Sequence, residues 1–282
     1  MHILIDTSNL LYRGYFTYPK HQCGEILFTL STIRSYLEKS DNTVYLCLDG
    51  KPKGKQIDSE YKANRQKCEV SVYRYLPQLV YLLQSLNRVK FKYNPNLEAD
   101  EVIFSLTRLL SGKKLIVSTD NDLLQSLKDD VEIQRSGKII NESYYKSEMK
   151  PKFHAVSPNR LPIYRAIVGD VSDNLKPPVP RFPKELAAKI AEQLPYDGCI
   201  PSRDSLIALF TELRKELSKS RQSNIDSLLA NYVKFESNFK IMKLDPHVDL
   251  DYSYLGEFPV IPNFPPIIMS IFMVIKSLDK GV

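Results

Sequence analysis

Short apolar runs rich in β-branched and aromatic residues alternate with amphipathic segments over the first half of the chain. Four such runs predict β-strands, and they cover residues 2–5, 43–48, 89–93 and 115–118. Between them, apolar residues recur at intervals of three and four, which predicts helices over residues 25–38, 72–86 and 99–110. This alternation is typical of an α/β protein in which a parallel sheet is flanked by helices.

The strand signal ends with a predicted hairpin over residues 131–140, which turns at its Ser-Gly pair. Residues beyond about 144 are predicted to be mostly helical, with amphipathic helices at 202–217 and 224–239. Four prolines between 177 and 183 exclude a continuous helix there. We therefore predict a rigid turn, which is also a candidate domain junction.

The composition excludes disordered and fibrous proteins. Of the 282 residues, 43% are hydrophobic and 26% charged, which is the balance of a globular protein with a substantial core. Lysines and arginines outnumber acids by 39 to 33. The resulting net charge of +6 favours a polyanionic partner such as a nucleic acid.

The cysteine pattern and the lengths of the apolar segments indicate the cellular compartment in which the chain is expected. The four cysteines at 23, 47, 68 and 199 include no C-x-x-C pair and have no nearby histidine to complete a zinc site, so a reducing setting fits best. The N-terminus lacks the long apolar stretch of a signal peptide, and the longest apolar window, 267–275, is too short for a membrane span. We expect a cytoplasmic location.

Three of the predicted strands end in an aspartate. These are Asp6, Asp49 and Asp120, and Asp122 follows two residues after the last. The carboxyl ends of the strands in an open α/β sheet form its ligand crevice, so these acids are predicted to converge. Each aspartate could instead cap the helix that follows it, but this alternative is much weaker for all three together.

Two further acidic pairs extend this set. Glu98 and Asp100 open a predicted helix, where the helix dipole also favours acids. Asp170 and Asp173 are spaced to share one helical face, or else belong to an ordinary polar turn. Like charges about 4 Å apart repel by roughly 4 kcal/mol at an effective dielectric constant of about 20, so convergence would require bound cations. Carboxylates without histidine or cysteine select Mg²⁺ or Mn²⁺, and pairs of these ions serve in phosphodiester hydrolysis.

In their order along the chain, these acidic motifs resemble the bacterial and bacteriophage 5′ nuclease family, which includes flap endonucleases, 5′→3′ exonucleases and phage RNase H. The resemblance covers about residues 1–190 and fades from about 195. It implies a PIN-like α/β nuclease core at 1–175 and a helical C-terminal region at 176–282. The implied activity is Mg²⁺-dependent exonuclease and flap endonuclease cleavage of DNA or RNA–DNA hybrids in replication or repair.

The resemblance also implies two Mg²⁺ ions, for which Mn²⁺ can substitute, held by eight carboxylates. The ligands implied for the first ion are Asp6, Asp49, Glu98, Asp100 and Asp120. Those implied for the second ion are Asp122, Asp170 and Asp173.

A basic and aromatic segment after Asp49 matches the Tyr-Lys-x-x-Arg signature of the family. The resemblance implies that Lys62 and Arg65 act in catalysis and also bind nucleic acid near a helical arch. Tyr61 and Lys67 are implied as further nucleic-acid contacts. A basic run is more often a solvated surface, and Tyr61 could equally serve in packing.

The chain departs from the family pattern after residue 174, where family members have a glycine-rich helix–hairpin–helix turn. Arg181 and Pro183 replace the turn glycines, and proline has no N–H to offer a phosphate. We expect an altered hairpin in which Arg181 and Lys184 are candidate side-chain contacts to duplex DNA. A purely structural proline turn is the alternative.

Two other functions stay open at the level of sequence. One is a catalytically silent module that binds branched nucleic acids, and retention of all eight carboxylates argues against it. The other is a PIN-like exoribonuclease, because the acidic motifs do not specify the sugar. The expected partners are DNA, RNA–DNA hybrids and replication proteins, with no membrane, and the chain is expected to be a monomer. Since the resemblance includes bacteriophage enzymes, the expected location is the host cytoplasm if the chain is phage-encoded.

Overall fold

The computed structural model describes residues 1–21, 23–39, 41–51, 53–64, 72–250 and 264–280. Their strands form one six-stranded sheet in the order β3-β2-β1-β4-β5-β6. The strands are β1 (His2–Asp6), β2 (Thr43–Cys47), β3 (Val89–Lys92), β4 (Lys114–Val117), β5 (Val131–Arg135) and β6 (Lys138–Ile140). The first five are parallel and β6 is antiparallel to β5. The predicted parallel sheet and its terminal hairpin are confirmed.

Helices cover both faces of the sheet, and the described residues after the hairpin are mostly helical. Up to the hairpin they are α1 (Thr7–Thr17), α2 (Gly24–Leu37), α3 (Gly54–Ile57), α4 (Leu76–Leu83) and α5 (Ala99–Leu109). After it come α6 (Glu142–Tyr144), α7 (Leu161–Val168), α8 (Lys184–Gln193), α9 (Arg203–Leu213), α10 (Lys219–Ala230), α11 (Tyr232–Met242) and α12 (Pro266–Asp279). Short 3₁₀ or π segments lie at Asp122–Ser126, Tyr145–Met149, Lys150–Phe153 and Pro158–Arg160.

Alternation along the strands divides the interior into two apolar layers. On β1, Ile3 and Ile5 belong to the layer beneath α1, α2, α4 and α12, whereas Leu4 belongs to the layer beneath α5, α7 and α8. Successive strand residues point to opposite faces, so β1 is buried on both sides. The second layer also contains Ile167 and Phe182, which lie before and after the expected junction near residue 175. The division into two domains stays a prediction.

Two helix predictions differ from the structure. The helix expected over 224–239 is interrupted at Asn231, whose Nδ2 donates to the Ser227 carbonyl at 2.8 Å. A short amide side chain competes with the helical hydrogen bonds of its own backbone, which explains the break. The helix expected from residue 72 begins at Leu76, because residues 72–75 form turns ahead of a proline in its first turn.

The C-terminal helix α12 packs against α2 and is anchored to the start of β3. The carboxylate of Asp279 accepts the backbone N–H groups of Asn87 and Arg88 at 2.8 and 2.7 Å. None of the helices within the described ranges is long and apolar enough to cross a membrane.

Candidate metal centre

The carboxyl ends of β1, β2 and β4 and the N-terminus of α5 surround a cleft of about 380 Å³. Five of the carboxylates singled out in the sequence line it: Asp6, Asp49, Glu98, Asp100 and Asp120. The structure therefore brings together acids that lie more than a hundred residues apart in the chain.

Asp6 ends β1 and caps α1. Its side chain accepts the Asn9 backbone N–H at 3.0 Å and the Ser118 hydroxyl at 2.9 Å. Burial, together with the charges of Asp49 and Asp120, raises the pKa of Asp6 to about 7 despite these hydrogen bonds. Asp6 therefore both caps α1 and converges on the cleft with the other acids.

Asp49 follows β2 and joins the cleft to α5. Its carboxylate accepts the Ala99 backbone N–H at 2.8 Å and also the hydroxyl of Ser8. An acid at a helix N-terminus is favoured by the orphan N–H groups and the helix dipole. Asp49 therefore fixes the start of α5, where Glu98 and Asp100 lie.

Asp100, Asp120 and Asp122 each place a carboxylate oxygen within 4.8 Å of the other two. Burial and the neighbouring Glu98 raise the pKa of Asp100 well above its usual range. Closely spaced, desolvated carboxylates repel one another, and an all-oxygen donor set is the one that hard divalent cations prefer. These residues fit a divalent metal ion.

Asp122 and Asp170 share a cation that the sequence reasoning missed. The guanidinium of Arg165, on the last turn of α7, forms ion pairs with both carboxylates, and all three side chains are nearly buried. Gly169 has φ 76° and lies so close to the Leu175 carbonyl that a Cβ would meet it at 2.5 Å. Glycine is therefore needed to turn the chain from α7 into Asp170.

Asp170 and Asp173 lie in a closed turn and do not share a helical face. The backbones of Asp170 and Leu175 exchange hydrogen bonds of 2.8 and 2.7 Å across this turn. Asp173 is buried, and the Tyr61 hydroxyl donates to it at 3.2 Å. Tyr61 as a whole residue is 3% exposed, and it packs with Leu175 and two residues of α11. This burial favours the packing role of Tyr61 over stacking on a base.

Lys62 lies in the acidic cleft beside Glu98, with its ammonium 2.5 Å from a carboxylate oxygen. Burial acts to lower the pKa of Lys62, but Glu98, Asp100 and Asp173 outweigh it and leave that pKa raised. The side chain is therefore a cation within reach of whatever binds the acids. Arg65 and Lys67, the other basic residues of this segment, lie outside the described residues.

Two tyrosines that the sequence reasoning did not single out also line the cleft. Tyr12 on α1 and Tyr73 have ring centroids 6.2 Å apart with perpendicular planes, and each is 38% exposed. They give an acidic site an aromatic wall. Their separation in sequence left no local motif from which to predict this pairing.

Arg181 and Lys184 lie outside the cleft, where the turn between α7 and α8 ends. Both are exposed, whereas Phe182 between them is buried and its N–H donates to the Val179 carbonyl at 3.3 Å. Arg181 has φ 55°, the left-handed conformation that glycine adopts without strain. The turn thus keeps a glycine-like backbone with an arginine at that position.

The sequence of the chain matches the family model described as 5′-3′ exonuclease, N-terminal resolvase-like domain, over residues 1–154. A 5′-3′ exonuclease of Buchnera aphidicola subsp. Schizaphis graminum is 30% identical over 193 residues, which cover 64% of this chain and 66% of that protein. DNA polymerase I of Caldicellulosiruptor bescii is 28% identical over 235 residues, covering 78% of this chain and 27% of the polymerase. The match thus spans just under two thirds of the first relative and about a quarter of the second.

Solved structures match along nearly the whole chain. The T5 D15 protein co-crystallised with metal ions has a TM-score of 0.64 at 16% identity, with 99% of each chain covered. The bacteriophage T5 D15 flap endonuclease in a pseudo-enzyme–product complex with DNA and metal ions has a TM-score of 0.60 at 15% identity, again with 99% of each covered. This likeness confirms the expected PIN-like α/β fold.

Proposed function

The chain belongs to the 5′-3′ exonuclease family, and from this membership we propose that it is a metal-dependent 5′ nuclease that hydrolyses phosphodiester bonds of DNA. The observation that carries the proposal is the carboxylate-lined cleft at the sheet edge, which also holds the Lys62 ammonium. Phosphodiester hydrolysis requires acids that bind metal ions and a cation that contacts the phosphate, and this cleft contains both kinds of group.

The proposed cofactor is a pair of Mg²⁺ ions, with Mn²⁺ as a substitute. Asp6, Asp49, Glu98, Asp100 and Asp120 would hold the first ion. Asp122, Asp170 and Asp173 would hold or orient the second. Asp122, whose carboxylate oxygen lies within 4.8 Å of those of Asp100 and Asp120, is shared between the two sets. When bound, the ions supply a hydroxide at neutral pH and stabilise charge on the phosphate.

The side chains around the acids orient them for this task. Ser118 and the Asn9 backbone fix the Asp6 carboxylate, and Ser8 helps to fix Asp49. Held in this way, the carboxylates do not reorganise when substrate arrives. Lys62 is positioned to exchange its ion pair with Glu98 for one with a substrate phosphate. The raised pKa of Lys62 keeps it charged at neutral pH.

The proposal extends to RNA–DNA hybrids as substrates, to replication proteins as partners, and to a monomeric chain in the cytoplasm. The silent-module alternative is not favoured, because the acids converge and family membership is with exonucleases. The exoribonuclease alternative is distinguished by the choice of substrate in the following experiment.

Cleavage of 5′-labelled single-stranded, flap and nicked DNA, RNA–DNA hybrid and single-stranded RNA should be measured with Mg²⁺, Mn²⁺ or EDTA. We expect cleavage of DNA with either metal and none in EDTA. Asp100→Asn should reduce turnover by at least about 100-fold while leaving DNA binding in EDTA nearly intact, since it removes a metal ligand and no cation. The control Asp204→Asn changes an exposed acid on α9 and should leave turnover unchanged.

Three results would contradict the proposal. They are the absence of DNA cleavage by the wild-type chain with either metal, cleavage that persists in EDTA, and cleavage of RNA alone. Equal turnover of Asp100→Asn and Asp204→Asn would show that the acids of this cleft are not the catalytic ones.

A further inference from the structure

A second groove, of about 420 Å³, lies beside the catalytic cleft between the β5–β6 hairpin and the segment that follows it. Its polar lining includes Arg135 and Lys138 of the hairpin and Lys152 of the following segment. None of the described residues that line this groove is acidic. A groove with three cations attracts a chain of phosphates, whereas the neighbouring cleft repels one unless metal is bound.

Asn121 connects the two concavities. It lines the basic groove, while its neighbours Asp120 and Asp122 belong to the cluster of metal-binding geometry. The guanidinium of Arg135 donates to the Asn121 side-chain oxygen at 2.5 Å, which fixes this junction. Asn121 therefore marks a direct route from the acids to the groove.

The groove also has an aromatic wall. Tyr144 and Phe153 line it, and both rings are half-buried, with part of each surface accessible. Phe153 stacks on Tyr145 with centroids 6.2 Å apart and planes inclined by 16°, so its orientation is fixed by packing. Aromatic rings beside cations are the means by which proteins bind unpaired bases without sequence preference.

We propose that this basic groove binds a single-stranded segment of the nucleic-acid substrate that continues from the catalytic cleft past Asn121. Arg135, Lys138 and Lys152 contact its phosphates, and Tyr144 or Phe153 stacks against a base. This proposal rests on the proposed nuclease function, because it takes the strand at the acids as its starting point.

The test compares two triple variants that remove the same charge. Arg135→Gln/Lys138→Gln/Lys152→Gln changes the groove. Lys39→Gln/Lys113→Gln/Lys276→Gln changes exposed lysines that do not line it. Binding of a fluorescent single-stranded DNA is measured by anisotropy in EDTA, where no cleavage occurs, over a range of salt concentrations.

We expect the groove variant to bind about tenfold more weakly and its salt slope to fall by about 2, since each phosphate contact to a single strand contributes about 0.7. The control should bind like the wild type. Equal affinities of the two triple variants for single-stranded DNA, or a loss of affinity for duplex DNA alone, would overturn the proposal. If the groove variant unfolds at a lower temperature than the wild type, the double variant Lys138→Gln/Lys152→Gln replaces it, because it changes only exposed side chains.

A second measurement addresses the stacking. DNA strands carrying 2-aminopurine at successive positions are bound to the wild type and to Phe153→Leu and Tyr144→Leu. Quenching at one position that one of these variants relieves supports the assignment, and quenching unaffected by both overturns it. Failure of the wild type to cleave DNA would contradict the proposed function, whereas cleavage with identical behaviour of both triples would contradict the groove alone.

Discussion

Arg165 places a fixed positive charge between two of the carboxylates proposed to hold the second metal ion. A cation in that position competes with a divalent ion for Asp122 and Asp170. Of the two bound Mn²⁺ ions, we predict that Arg165→Met tightens the more weakly bound one by about tenfold, which corresponds to about 1.4 kcal/mol of binding free energy. Free Mn²⁺ measured by electron paramagnetic resonance during a titration reports both affinities.

Arg165→Lys is the matched control, because it keeps the charge and should leave the Mn²⁺ affinities near those of the wild type. Weaker Mn²⁺ binding in Arg165→Met would mean that the guanidinium organises the acids more than it competes for them.

At the residue scale, sequence reasoning found the acids and missed the groups that hold them. Asp6 and Asp49 were recognisable because they follow apolar runs, and Asp170 because of its motif. Arg165 and Ser8 had no comparable signal. Their partners lie on other elements, so their roles depend on how the chain packs and not on local sequence.

The turn between α7 and α8 gives a prediction at the scale of the element. Arg181 adopts a left-handed backbone, which costs about 1 kcal/mol for any residue other than glycine. Arg181→Ala and Arg181→Gly both remove the guanidinium, but only glycine relieves this strain. We expect Arg181→Gly to be more stable than Arg181→Ala by about 1 kcal/mol in urea unfolding.

Both variants should bind duplex DNA equally weakly, each with a salt slope lowered by about 0.9 if Arg181 contacts one phosphate. Unchanged duplex binding would instead leave the turn with a structural role. Equal stability of the two variants would show that the turn relaxes when the arginine side chain is lost.

Elements with a regular apolar period were predicted well, and those with mixed surfaces were not. The parallel strands and α5 were predicted to within a residue or two. Helix α1 was not predicted. Tyr12 and Phe16 are apolar yet exposed on its outer face, so its sequence lacks a clear amphipathic pattern. The break between α10 and α11 at Asn231 was not predicted, because apolar residues keep their helical spacing on both sides of it.

At the scale of the whole molecule, the buried acids make metal-free stability depend on pH. The pKa of Asp6 is raised from 3.8 to about 7 by folding, so the unfolded chain releases this proton more readily. Asp6 therefore opposes unfolding fully below about pH 4, and this contribution is lost as the pH rises through about 7. We predict that the free energy of unfolding in EDTA falls by roughly 2 to 4 kcal/mol over this range, at about 1.4 kcal/mol per pKa unit.

Urea titrations at successive pH values in EDTA measure this dependence. Asp6→Asn should flatten it and be more stable than the wild type at pH 8, and added Mg²⁺ should stabilise the wild type more than the variant. An unchanged slope in Asp6→Asn would assign the dependence to other groups, such as Asp100, whose pKa is also raised.

The central position of β1 has a consequence for synthesis on the ribosome. β1 pairs with β2 near residue 43, but its other neighbour, β4, begins at Lys114. Asp170 emerges later still. A nascent chain therefore carries Asp6 and Asp49 long before the acids that complete the cleft. The proposed cleavage activity should therefore arise only once translation has passed Asp173, so shorter nascent chains near their own messenger carry no complete set of these acids.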